Sequence, residues 1–206
     1  MNCAVFLDRD GVINELVYHQ EQEVIDSPFT PGQFKLIPGV TEALKTLHNN
    51  GYLNILVSNQ PGVAKRHMTA KNFELIRKKM NSELNKGGAS LDGEYYCMHH
   101  PEAVVERYCI KCDCRKPLPG LLLRAAQEKN IDLKQSWLIG DNLSDIQAGK
   151  AAGCRTILIG TMKCELCRLL KEKNTIPDYI ISNLAEAVWE HILAKDYVIN
   201  FEETLY

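Results

Sequence analysis

Short apolar runs alternate along this chain with stretches of helical periodicity. Cys3-Ala4-Val5-Phe6-Leu7 is apolar throughout and stops abruptly at charge, which predicts a short buried strand. A polar, turn-rich stretch from about 14 to 39, with Pro28, Pro31, Gly32, Pro38 and Gly39, predicts a flap or small hairpin over the strand ends. Val40, Ala43, Leu44 and Leu47 fall at helical spacing and the pattern stops at Asn50-Gly51, so a helix is expected over Val40 to Asn49. Tyr52 to Val57 follows as a strand that ends in Ser58-Asn59-Gln60-Pro61-Gly62. Thr69 then caps a long helix through about Lys86, with Phe73, Ile76, Met80 and Leu84 on one face.

Tyr95-Tyr96 leads into a loop rich in cysteine and histidine, about 97 to 114. Pro119 opens a helix carried by Leu122, Leu123 and Ala126. Ser136 to Gly140 reads as a strand followed by Asp141, Asp145 to Ala152 as a short helix, and Thr156 to Ile159 and Tyr179 to Ile181 as strands. Leu184 to Leu193 closes the pattern as a helix. The alternation predicts an α/β fold: a Rossmann-like parallel sheet with helices on both faces and no large cap domain. No repeat, low-complexity segment or linker interrupts it, so residues 1–206 are expected to form a single domain. Tyr52, Trp137 and Trp189 read as packing residues and Cys154 as core.

Composition narrows the possibilities. A chain of 206 residues with 45% hydrophobic and 24% charged side chains can bury one sizeable core. Its formal net charge of −2 argues against nucleic acid as a partner. No apolar stretch approaches the roughly 20 residues of a membrane span. The amino terminus enters its strand without the pattern of a signal peptide, so a cytoplasmic protein is expected. Eight cysteines in that compartment point to metal binding or free thiols rather than disulfides. A monomer is expected.

The chemistry lies at strand ends. Asp8 and Asp10 follow the first strand, Ser58 and Asn59 the second, and Asp141 and Asp145 a third. A solvated DxD turn would explain the first pair alone. If the strands are parallel and adjacent, however, all three sets share one edge of the sheet, where open α/β folds bind ligands. Acids gathered there need a cation or a chemical task. Mg²⁺ takes a few carboxylate oxygens and completes its shell with water and phosphate. Asp8 and Asp141 are its candidate side-chain ligands, and the Asp10 backbone carbonyl is a candidate third.

Asp8-Arg9-Asp10-Gly11-Val12, Ser58-Asn59-Gln60, Arg115-Lys116-Pro117 and Gly140-Asp141-Asn142-Leu143-Ser144-Asp145 resemble, in order, the four motifs of the haloacid-dehalogenase (HAD) superfamily of phosphohydrolases. That resemblance implies Asp8 as nucleophile and Asp10 as general acid and base. It also implies Ser58 and Lys116 as the groups that hold the phosphoryl oxygens. Asp145 is expected either to support the metal site or to cap the helix that follows.

Cys97-Met98-His99-His100 and Cys112-Asp113-Cys114 offer two close sets of soft ligands, fifteen positions apart. They suit one closed, structural Zn²⁺ held by Cys97, His99, Cys112 and Cys114, with His100 and Cys109 as competing ligands. Cys114 precedes Arg115-Lys116, so such a staple would also fix where those cations point. The loop resembles the zinc-containing HAD branch that holds the D-glycero-D-manno-heptose 1,7-bisphosphate 7-phosphatases and the histidinol-phosphate phosphatases. Asp92 to Cys97 and Ser58 to Ala64 are nearer the heptose enzymes. The resemblance implies a small phosphorylated substrate contacted by Ser58, Asn59, Gln60, Arg115, Lys116 and Asn142. The chain departs from the heptose pattern at Leu16-Val17-Tyr18-His19 and at Asn142, where those enzymes tend to carry lysine. Cys164-Glu165-Leu166-Cys167 is a second CxxC without a partner pair, read as free thiols.

The expected function is thus a Mg²⁺-dependent phosphomonoesterase, with heptose bisphosphate ahead of histidinol phosphate as substrate. The rivals are a phosphoacceptor signalling domain, which would not need Asp10, and a zinc-stapled binding module without catalysis.

Overall fold

A computed structural model describes residues 1–160 and 175–194. The Cys164/Cys167 pair and the stretch 196–206 lie outside the described residues.

Six strands form one parallel sheet in the order β5-β4-β1-β6-β7-β8: β1 (Cys3–Leu7), β4 (Tyr52–Asn59), β5 (Gly93–Cys97), β6 (Trp137–Gly140), β7 (Arg155–Ile159) and β8 (Tyr179–Ile181). The flap contains an antiparallel hairpin, β2 (Val17–His19) with β3 (Val24–Asp26). The helices are α1 (Val40–Asn49), α2 (Ala70–Lys86), α3 (Gly120–Lys129), α4 (Leu143–Ala152) and α5, which starts as Leu184–Glu186 and widens to π winding over Ala187–Ile192. Among the described residues no helix is long and apolar enough to cross a membrane.

Alternation along β1 sorts its side chains into two cores, as the period of a strand requires. Val5 and Leu7 pack with α1, α2 and α5 on one face, while Ala4 and Phe6 pack with α3 and α4 on the other. Helices therefore cover both faces. β1 lies between β4 and β6, so the chain winds outward in both directions from it and leaves a crevice at its carboxyl end. No large cap domain occurs among the described residues; the hairpin and the cysteine loop flank the crevice instead.

The expected elements form, with two shifts of face. In α3 the buried positions are Leu121, Leu122 and Ala125, while Leu123 is 47% exposed. Trp189, expected to pack, is 57% exposed: Ala187, Val188 and Ile192 take the buried face of the π-wound segment, and Trp189 stands about a quarter turn round from Val188, off that face. Trp137 and Cys154 are buried as expected.

Candidate active site

Asp8 and Asp10 follow β1, Asn59 ends β4 and Asp141 follows β6, and together they line one cleft of about 470 Å³. Arg115, Lys116 and Asn142 line it as well, and Leu16, Ile25, Asp26 and Ser27 of the flap form a further wall. Gly11 allows this convergence. Its φ is +77°, and a side chain there would run into the Asp141 carboxylate.

Lys116 is the buried cation that faces Asp8. Its Nζ lies 3.0 Å from Asp8 Oδ1 and 2.5 Å from Asp145 Oδ1, and donates to the Val57 carbonyl at 2.8 Å. Burial opposes its charge, but Asp145 and Asp8 outweigh burial and raise its pKa above the ordinary lysine value. Asn59 fixes the Lys116 backbone with two bonds: Nδ2 donates to the Lys116 carbonyl, and Lys116 N donates to Oδ1, each at 3.0 Å. Arg115 donates from Nη1 to the His99 carbonyl at 3.2 Å.

Of the two roles foreseen for Asp145, the helix cap is seen, together with an ion pair to Lys116. It completes a capping box at the start of α4: Asn142 N donates to Asp145 Oδ2 at 3.1 Å, and Asn142 Oδ1 accepts from Ser144 N at 3.2 Å. The Asn142 side chain thus caps the helix at the cleft edge.

Ser58 and Gln60 lie behind the cleft wall, both buried. Gln60 Nε2 donates to Asp10 Oδ2 at 2.6 Å and to Ser58 Oγ at 3.1 Å. Asp10 Oδ1 accepts from Arg9 Nε (3.2 Å), Arg9 Nη2 (3.1 Å) and Asn14 Nδ2 (2.9 Å). Sequence reasoning missed Arg9 and Asn14 as the holders of Asp10, and Asp26 as a cleft residue. Arg9, set between two acids, was the available signal.

The donor set fits a hard divalent cation. Asp8, Asp141 and Asp145 each offer a carboxylate oxygen within 4.8 Å of the others. Burial first, then Asp8 and Asp145, push the Asp141 carboxyl up to about 8; burial likewise moves Asp145 up to about 6. Such an excess of crowded negative charge is what Mg²⁺ relieves.

Cys97, His99, Cys112 and Cys114 form a second cluster. Its separations are Cys97 Sγ to Cys112 Sγ 3.8 Å, to His99 Nδ1 3.7 Å and to Cys114 Sγ 3.2 Å, with Cys114 Sγ to His99 Nδ1 at 3.4 Å. A tetrahedral zinc about 2.3 Å from each sulfur separates them by roughly 3.8 Å, so the donors suit that ion. The competing ligands are engaged elsewhere: His100 Nδ1 accepts from Glu102 N at 3.0 Å, and Cys109 Sγ donates to the Pro101 carbonyl at 3.2 Å.

A parallel doubly wound sheet with acids from several strand ends around a buried lysine is the arrangement of a HAD-like hydrolase, and residues 113–187 match the HAD-hydrolase-like family model. The chain is 40% identical over 187 residues to a D-glycero-beta-D-manno-heptose-1,7-bisphosphate 7-phosphatase of Pasteurella multocida (strain Pm70), covering 90% of this chain and 95% of the relative. The enzyme of the same name from Photorhabdus laumondii is 41% identical over 184 residues, covering 89% and 92%. The crystal structure of D,D-heptose 1,7-bisphosphate phosphatase from B. bronchiseptica, complexed with magnesium and phosphate, matches with a TM-score of 0.74 at 28% identity, over 95% of this chain and 99% of that one. The chain belongs to the family of the D-glycero-beta-D-manno-heptose-1,7-bisphosphate 7-phosphatases.

Proposed function

We propose that this protein is a magnesium-dependent phosphomonoesterase that removes the 7-phosphate of D-glycero-D-manno-heptose 1,7-bisphosphate. The observation that carries the reading is the buried Lys116 ammonium, held against Asp8 at the floor of a cleft that Asp141 also lines. An Asp8 oxygen attacks phosphorus in line; the P–O bond to the sugar breaks, and Asp10 gives its proton to the leaving oxygen. Asp10 then takes a proton from the water that splits the aspartyl-phosphate, and inorganic phosphate leaves. Lys116 offsets the charge on the phosphoryl oxygens. Ser58 accepts from Gln60 and keeps its own hydroxyl proton to donate. Asp8, Asp141 and the Asp10 backbone carbonyl would hold Mg²⁺, whose charge lets an anionic nucleophile meet a phosphate dianion.

Cys97, His99, Cys112 and Cys114 would hold a structural Zn²⁺, which would keep Arg115-Lys116 in place. Arg115, Asn59 and Asn142 meet the substrate at the cleft rim. The enzyme is read as a monomeric, cytoplasmic, single domain over residues 1–206.

One observation favours a second reading, histidinol phosphate as substrate. Asp26 sets a carboxylate in the cleft wall, a partner suited to an ammonium group, and Asn142 supplies no cation for a second phosphate. Phosphate release from the two substrates in parallel tests both. A clear preference for the heptose bisphosphate is expected, and equal, slow rates on each would overturn both assignments.

A further inference from the structure

Gln60 belongs to a motif whose neighbours face the substrate, yet it does not reach the cleft. Asn59 and Pro61 line that space, while Gln60 lies behind them with 1% of its surface exposed. Its backbone N donates to the Cys97 carbonyl at 2.7 Å, which ties it to the cysteine loop. Its side-chain amide makes two bonds, both from Nε2: to Asp10 Oδ2 at 2.6 Å and to Ser58 Oγ at 3.1 Å. The amide oxygen has no hydrogen-bond partner among the described residues. A buried amide with one end unsatisfied is costly, so what Nε2 holds must account for the residue. Toward the ionised carboxylate the amide orientation is set as well, because the reverse would put its oxygen against a carboxylate oxygen.

The two oxygens of Asp10 are not equivalent. Oδ1 takes three N–H bonds, two from Arg9 and one from Asn14. Oδ2 takes only the bond from Gln60. A carboxylate oxygen has about two acceptor directions, so Oδ1 is fully used and Oδ2 keeps one lone pair toward the cleft. We propose that Gln60 is a positioning residue: its amide aims Asp10 Oδ2 at the leaving oxygen and locks that aim to the Ser58 hydroxyl. The inference rests on the phosphatase reading above and adds to it how the proton donor is oriented. In the step concerned, the Asp8–phosphorus bond forms, the ester P–O bond breaks with its electron pair going to the leaving oxygen, and the proton comes from Asp10. Gln60 contributes no proton. A misaimed donor therefore harms only those leaving groups that need one.

The test compares kcat/KM for glycerol 3-phosphate, whose alkoxide leaves poorly, and 4-nitrophenyl phosphate, whose leaving group is stable as an anion. The ratio kcat/KM reports formation of the aspartyl-phosphate and excludes its later hydrolysis. Gln60→Leu is expected to lose about 100-fold on glycerol 3-phosphate, the lower end of general-acid contributions, and less than about fivefold on the aryl ester. Gln60→Met, closer in length and without a donor, should give the same selective loss, and melting temperature with zinc content identifies a variant that fails to fold. An equal loss on both esters in a folded variant overturns the proposal. So does a loss confined to KM for the heptose bisphosphate, which would make Gln60 a substrate contact. If the wild-type protein hydrolyses neither ester nor the bisphosphate, the phosphatase reading itself falls, and the proposal with it.

Discussion

Asn59 and Lys116 hold one another by two reciprocal bonds, each 3.0 Å, between an amide side chain at the end of β4 and the backbone of a loop residue. Lys116 owes its place to this clamp from one side and to Cys114, two positions earlier, from the other. Asn59→Leu should therefore act through Lys116. A lysine displaced by about 1 Å is expected to lower kcat by tens to a hundredfold. Steady-state kinetics with the melting temperature checks this, and an unchanged kcat would refute the clamp.

Removing the cation has a larger effect. Lys116→Met leaves Asp8 and Asp145 facing each other without compensation. Loss of one partner from a buried charge pair costs about 3–5 kcal/mol. Turnover should fall by about 10²–10³-fold, as when an electrostatic stabiliser is lost. Denaturant unfolding and phosphate-release assays together measure both effects.

Cys114→Ser tests the staple. Zinc content by elemental analysis should fall from one equivalent per chain to near zero, the melting temperature should drop, and activity should decline because Arg115 and Lys116 follow Cys114 directly. A variant that keeps its zinc would point to another ligand set, with Cys109 the first to examine.

The acids predict a pH signature in magnesium-free protein. The folded Asp141 carboxyl is pushed up to about 8 and that of Asp145 up to about 6, whereas both ionise near 4 in an unfolded chain. A folded state that binds extra protons has their contribution in full below about pH 4 and loses it as pH rises through about 8. Asp141→Asn removes most of that dependence. Without magnesium the variant and the wild type should melt alike at about pH 4 and below, and the variant should gain progressively, by several degrees, toward pH 9. Adding magnesium at pH 8 should reverse the order. A gap constant with pH would contradict the crowding.

Much of this was legible in the sequence because local chemistry carried it. β1, β4 and β6 announce themselves as apolar runs broken by acids or amides, and Cys97, His99, Cys112 and Cys114 by spacing. What stayed hidden depends on contacts between distant segments. His99 and His100 look alike in the sequence; His99 is the one whose Nδ1 comes within 3.4 Å of Cys114 Sγ, fifteen positions away. That Asn59 also clamps the Lys116 backbone shows only once the loop at Lys116 folds against it, and that Gln60 lies behind the cleft wall only once β5 brings the Cys97 carbonyl to its backbone. Trp189 reads as a packing residue from its aromatic type alone, and its place about a quarter turn round from Val188 leaves it off the buried face of α5.

The central claim is that Asp8 becomes covalently phosphorylated, and acid-quenched mass analysis during turnover of the heptose bisphosphate tests it most directly. The account predicts one phosphoryl group on the peptide carrying Asp8, appearing within the first turnover and absent from an inactive Asp8→Asn variant. Phosphate release with no label on that peptide, undiminished in Asp8→Asn, would contradict it.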